Sequence, residues 1–154
     1  MARAVRERTR RSGTVGVLLD TNILLDVVLD RAPWADDATR LLQRIHDGAA
    51  RGFVASHALT TVHYVVQREA GRARAVTAVS DLLDLLEVVP LDASDFRRAL
   101  ATDIRDFEDA AQVAACLKAG ADALVTRNPR DFKGAPVEIR SAGEILPLLH
   151  HSAP

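Results

Sequence analysis

Apolar positions along this chain fall into two rhythms, short unbroken runs and longer stretches with helical spacing. Val15-Gly16-Val17-Leu18-Leu19 is a run of the first kind, suited to a buried strand, and it stops abruptly at Asp20. From Ile23 onward the spacing is helical, which predicts a helix over 21–29. Ala38, Leu41, Leu42 and Ile45 recur at helical intervals and predict a second helix over 35–48, opened by Pro33. Gly48 and Gly52 bracket a turn into a brief strand, 53–55, after which Ser56 is placed to cap a helix that Gly71 stops. A further helix, 72–86, puts Val76, Val79, Leu82, Leu83 and Leu86 on one side. A strand at 87–91 and a short helix from Asp92 to about Thr102 follow. An acidic stretch then leads through Phe107 into a very apolar helix that ends at Gly120. Strands at 123–126 and 137–139, the latter an edge, precede a final helix capped by Ser141.

Strands alternating with helices predict an α/β fold with a mostly parallel sheet of about five strands, covered on both faces. The crossovers must be right-handed. At 154 residues the chain is expected to be one domain, over 14–150, with a basic arm at 1–13 and a tail at 151–154. No apolar run reaches the length of a membrane span. Cys116 is alone, so neither a disulfide framework nor a cysteine-based metal knuckle is available, and a cytoplasmic location is expected.

Net charge is −1 but unevenly spread. Arg3, Arg6, Arg8, Arg10 and Arg11 against Glu7 give the arm about +4, leaving about −5 on the rest. Such an arm is either an extended tail or a contact for nucleic-acid phosphates.

Asp20 stands where a strand stops and a helix begins, the edge where open α/β sheets bind ligands. The helix that starts near Phe107 runs back over the sheet, so Asp106, Glu108 and Asp109 should lie over the end of the strand that finishes near Thr126. If that strand neighbours the first, acids from separate segments converge on Asp20. Clustered carboxylates repel unless a cation compensates. A hard divalent ion takes oxygen ligands and serves phosphodiester hydrolysis by polarising a phosphoryl oxygen and lowering the pKa of a water.

Three segments carry a resemblance. Leu19-Asp20-Thr21-Asn22, Asp106-Phe107-Glu108-Asp109-Ala110 and Val125-Thr126-Arg127-Asn128-Pro129-Arg130-Asp131-Phe132 resemble the signatures of PIN-domain ribonucleases, including VapC-like toxins of VapBC-type toxin–antitoxin pairs. The resemblance spans about residues 15–149. It implies a Rossmann-like three-layer α/β/α sandwich and metal-dependent cleavage of single-stranded RNA with Mg²⁺ or Mn²⁺. It also implies a homodimer and silencing by a small antitoxin protein. Asp20 and Asp109 match the catalytic, metal-binding acids, with Asp106 one turn earlier as a supplement. Asn22 and Thr126 support the site. Asn128 stands where the family pattern has Asp, with Asp131 as a substitute three residues on. His63, in Thr60-Thr61-Val62-His63, stands where the family usually has Glu.

Each residue also has a plainer role. Asp20 can be only a helix cap, and Asp106 with Asp109 resembles a capping box at a helix start that favours acids. Glu108, turned about 100° from Asp109, reads as solvated. Arg127, Arg130 and Lys133 are either RNA-phosphate contacts or a solvated loop. His150 and His151 lie in the tail, and Cys116 reads as a small core residue. Two other functions compete with the ribonuclease. One is a degenerate PIN fold that binds RNA or protein without catalysis, since His63 and Asn128 replace acids. The other is a haloacid-dehalogenase-like phosphotransferase, which expects an acid where Asn22 stands.

Overall fold

The computed structural model describes residues 13–150; the basic arm up to residue 12 and the tail 151–154 lie outside them. Five strands form one wholly parallel sheet in the order β3-β2-β1-β4-β5. They are β1 (Val15–Leu19), β2 (Ala50–Ala55), β3 (Glu87–Val89), β4 (Ala123–Val125) and β5 (Ile139–Arg140). Seven α-helices among the described residues complete a three-layer α/β/α sandwich. They are α1 (Thr21–Val28), α2 (Ala35–His46), α3 (Ser56–Ala70), α4 (Arg72–Leu85), α5 (Ala93–Leu100), α6 (Phe107–Ala119) and α7 (Ala142–Ile145). Short 3₁₀ turns occupy Pro129–Phe132 and Leu146–Leu148.

β1 is the middle strand and is buried along its whole length, so its run is uninterruptedly apolar rather than alternating. Its neighbours are β2 on one side and β4 on the other, with Leu18 opposite Phe53 and Leu19 opposite Val125. The chain thus goes outward through β2 and β3, then returns across the sheet to β4. The expected adjacency of the first and fourth strands is met. Their carboxyl ends flank the crevice where the connection reverses direction, the usual ligand position in this architecture.

Several local expectations are corrected. Gly52 lies inside β2 rather than in a turn. A Cβ there would meet Leu86 Cδ2 at 2.5 Å and Ile45 Cδ1 at 2.8 Å, so only glycine lets these side chains press against the strand. Ser56 is the first residue of α3 rather than its cap, and its Oγ accepts from the Leu91 N–H at 3.3 Å. Trp34, not Pro33, immediately precedes α2. The buried side of α4 is Ala75, Ala78 and Leu82, whereas Val76 and Leu83 face outward. Small residues let α4 approach its neighbours more closely than a valine stripe would. β3 ends at Val89, and β5 sits two residues later than expected, still at the edge.

The capping chemistry fares better. Gly71 has φ 88° and Gly120 φ 62°, both in the left-handed region, and they end α3 and α6 as expected. Ser141 and Glu144 form a capping box on α7, and Asp92 with Asp95 forms another on α5. Cys116 is fully buried in α6, among Ala110, Ala111, Val113, Ala114 and Ala115. No helix among the described residues is long and apolar enough to cross a membrane.

Candidate active site

Asp20 leaves β1 with its backbone still in the sheet, its N–H donating to the Val125 carbonyl at 2.9 Å. Its extended backbone makes it the N-cap of α1, and the Thr21 N–H donates to Oδ1 at 2.8 Å. The other carboxylate oxygen, Oδ2, accepts from the Thr126 hydroxyl at 2.8 Å. The side chain is only 6% exposed. Capping thus uses only one of the two oxygens: Oδ1 is held by α1 and Oδ2 by the end of β4. Burial raises the Asp20 pKa above its ordinary value; the Thr126 and Thr21 bonds oppose the rise, and the charges of Glu108 and Asp131 add to it.

Asp109 enters from the first turn of α6. Asp106 is the N-cap, its Oδ1 accepting from the Asp109 N–H at 2.9 Å. That bond uses the Asp109 backbone, not its carboxylate. The half-buried Asp109 carboxyl is pushed up to about 7, first by burial and then by repulsion from Asp20, Asp106, Asp131 and Glu108. Acids from β1, α6 and the turn after β4 thus lie within electrostatic reach of one another. This is the convergence that the sequence led us to expect.

Glu108 is exposed, but it does more than face solvent. Its Oε1 accepts from the Thr21 hydroxyl at 3.3 Å, and the Thr21 Oγ1 accepts in turn from the buried Gln112 Nε2 at 3.1 Å. The chain Gln112–Thr21–Glu108 ties α6 to the start of α1 beside Asp20. Asp131, in the turn after β4, is exposed and repels both Asp20 and Asp109, which places it at the cluster's rim. Asn128 is exposed; its N–H donates to Thr126 Oγ1 at 3.1 Å, and its carbonyl accepts from the Asp131 N–H at 3.1 Å. Its part in the geometry thus runs through its backbone. The Asn22 side chain accepts from the Arg127 N–H at 3.3 Å and pins the loop after β4 to α1.

Arg127 is not a free phosphate contact. Its guanidinium pairs with the wholly buried Asp26 at 3.1 Å and lies over the Trp34 ring, 4.0 Å from the centroid. His63 is half-buried on α3 and is not among the groups that shift Asp20 or Asp109. His57, by contrast, lies near Glu108, whose charge opposes the lowering of its pKa by burial. Both His57 ring nitrogens are buried without a hydrogen-bond partner among the described residues. The sequence reading passed over His57, although its place two residues beyond the end of β2 set it at the same sheet edge.

Asp20 and Asp109 are all-oxygen donors, and their mutual repulsion is the electrostatic condition a cation relieves. Among the described residues no three His, Cys, Asp or Glu side chains are grouped as a ready metal cage. Two carboxylates nevertheless suit Mg²⁺, which commonly keeps several waters and completes its shell with substrate phosphate. The donor set fits such an ion.

A parallel three-layer sandwich with acids gathered at its switch point sets those acids where open α/β sheets bind their ligands. The PIN domain profile matches residues 16–130, and the chain belongs to that family. Ribonuclease VapC1 of Aquifex aeolicus is 20% identical over 133 residues, which cover 83% of this chain and 91% of the relative. The fold is shared with VapBC2 of Rickettsia felis, solved bound to a DNA fragment from its promoter. The TM-score is 0.64 at 18% identity, covering 82% of this chain and 98% of that one. It is also shared with VapC20 of Mycobacterium tuberculosis, a Sarcin-Ricin loop cleaving toxin. There the TM-score is 0.58 at 19% identity, with 70% and 86% covered.

Proposed function

We propose that this chain is a metal-dependent endoribonuclease that cleaves single-stranded RNA and acts in the cytoplasm as the toxin of a toxin–antitoxin pair. The observation that carries the reading is the Asp109 carboxyl, pushed up to about 7 beside Asp20 at the switch point of the sheet. Family membership and the names of the relatives support it: one is a ribonuclease, one a Sarcin-Ricin loop cleaving toxin, and others are solved as toxin–antitoxin complexes.

In this reading Asp20 and Asp109 hold Mg²⁺ or Mn²⁺, with Asp106 as a lesser ligand and the Asn128 amide oxygen as a neutral one. When bound, the ion supplies Lewis-acid polarisation of the phosphoryl oxygen and lowers the pKa of a water. Thr126 and the Thr21 N–H fix both Asp20 oxygens, so that carboxylate needs little reorganisation to bind. Asp131 and Glu108, at the rim, can accept the proton that the attacking water loses. Asn22 holds the loop that carries Thr126 and Asn128 in register with α1. His63 stands where the family pattern has an acid, which leaves the site with fewer carboxylates than that pattern. A small antitoxin partner is supported by the toxin–antitoxin complexes whose fold the chain shares, and a homodimer is what the family resemblance implies.

The test is cleavage of labelled single-stranded and duplex RNA with Mg²⁺ or Mn²⁺, against chelator. Metal-dependent cuts confined to unpaired RNA are expected. Absence of cleavage across a broad RNA panel would instead favour a PIN fold that only binds.

A further inference from the structure

The described residues beyond the arm carry a net negative charge, and without a bound ion the centre itself is a group of acids that repels phosphate. A contact that does not depend on charge would add to whatever a bound ion and the basic loop 127–133 supply. Trp34, the only tryptophan in a chain with few aromatics, is 46% exposed at the entry to α2. Burying an indole is the ordinary outcome for this residue, and half of this one is left to solvent. It is linked to the centre through a single residue. Arg127 follows Thr126, which donates to Asp20; its N–H is held by Asn22; and its guanidinium lies 4.0 Å from the Trp34 ring centroid. Asp26 neutralises and orients that guanidinium from the buried side. The platform is therefore fixed before any ligand arrives, at one side chain's reach from the acids.

We infer that Trp34 and Arg127 form a stacking subsite for one unpaired base of the RNA strand whose backbone crosses the acidic centre, an inference that rests on the ribonuclease reading above. Indole faces and guanidinium planes are the surfaces on which splayed-out RNA bases stack, without regard to sequence. Bases in a duplex are already stacked on one another and cannot use it. The subsite thus accounts for a preference for single strands and places one nucleotide beside the scissile phosphate.

Because Trp34 is the sole tryptophan, its fluorescence reports the contact directly. The experiment uses the Asp20→Asn chain in chelator, so that no cleavage occurs. It follows tryptophan emission and the polarisation of a labelled RNA 12-mer in parallel, with an all-duplex RNA as control. Expected is quenching that saturates with the polarisation signal for the single strand and is absent for the duplex. Trp34→Ala should weaken single-strand affinity about 5- to 100-fold, the range a lost base stack gives. Trp34→Phe, which keeps a stacking face, should recover most of it. Leu100→Ala, at an exposed position on α5, serves as the surface control and should leave affinity unchanged. RNA binding with no change in emission, or equal affinity in Trp34→Ala, would overturn the subsite while leaving the ribonuclease reading intact. Emission that changes with protein concentration alone and not with RNA would assign Trp34 to a protein interface and likewise overturn it. Absence of RNA binding, together with absence of cleavage in the unsubstituted chain, would overturn both.

Discussion

Asp109→Asn should stabilise the metal-free protein at alkaline pH, an unusual outcome for a half-buried polar residue. The folded carboxyl holds its proton up to about 7, whereas the ordinary value is 3.8. Between these values the folded state binds more protons than the unfolded one, so stability is full below about pH 4 and falls as pH rises towards 7. At about 1.36 kcal/mol per pH unit the loss would be a little over ~4 kcal/mol. Solvent reaches this side chain and screens the repulsion, so about 2 kcal/mol is the figure to expect. Asparagine keeps the shape and removes the charge. Urea unfolding in chelator at pH 5 and pH 8 should show the unsubstituted protein less stable at pH 8 by about that amount relative to Asp109→Asn, with roughly a third of the difference already present at pH 5. Saturating Mg²⁺ should restore the unsubstituted protein at pH 8 and leave the variant unmoved, since an ion that binds only the folded state stabilises by mass action. If Asp109→Asn destabilises equally at both pH values, the carboxylates do not repel one another and the reasoning fails.

Two other positions test the supports of the centre. Thr126→Val removes the hydroxyl that donates to Asp20 and should cost about 2 kcal/mol at pH 8, read by urea unfolding. The loss should shrink at pH 5, where Asp20, with its raised pKa, protonates more readily. Arg127→Met removes the cation paired with the buried Asp26, whose Oδ2 has no hydrogen-bond partner among the described residues, and should cost about 3 kcal/mol. The double change with Asp26→Leu should recover most of that loss, since replacing a buried pair by apolar groups is often neutral.

Much of this centre was legible because it lies where the chain changes rhythm. The unbroken apolar run of β1 marks a strand buried on both faces, and its abrupt end puts Asp20 at the ligand-binding edge. The acids that open α6 had to lie over the end of β4, because a crossover helix runs antiparallel to the strand it leads into. What was lost is what depends on a second element. Glu108 reads as solvated from its helical angle alone, yet Thr21 and Gln112 bring α1 within reach of it. Arg127 reads as either a phosphate contact or part of a solvated loop until Asp26 and Trp34 are found to hold it. Apolarity suggested Val76 and Leu83 for the buried side of α4, where close packing selects Ala75 and Ala78 instead. His57 lay at the right edge, but nothing in its neighbours separated it from His63. The fold followed from the alternation of strands and helices, whereas the partners of individual side chains needed three-dimensional neighbours.

The central claim is that Asp20 and Asp109 together seat the divalent ion on which cleavage depends. It is tested most directly by titrating Mn²⁺ into the unsubstituted chain, Asp20→Asn and Asp109→Asn by calorimetry, with RNA cleavage measured on the same samples. One bound ion is expected in the unsubstituted chain. Each substitution should weaken binding by at least about 100-fold and abolish cleavage in parallel, because loss of partners one shell further out already costs roughly 10- to 100-fold. Unchanged Mn²⁺ affinity and undiminished cleavage in both variants would contradict the account.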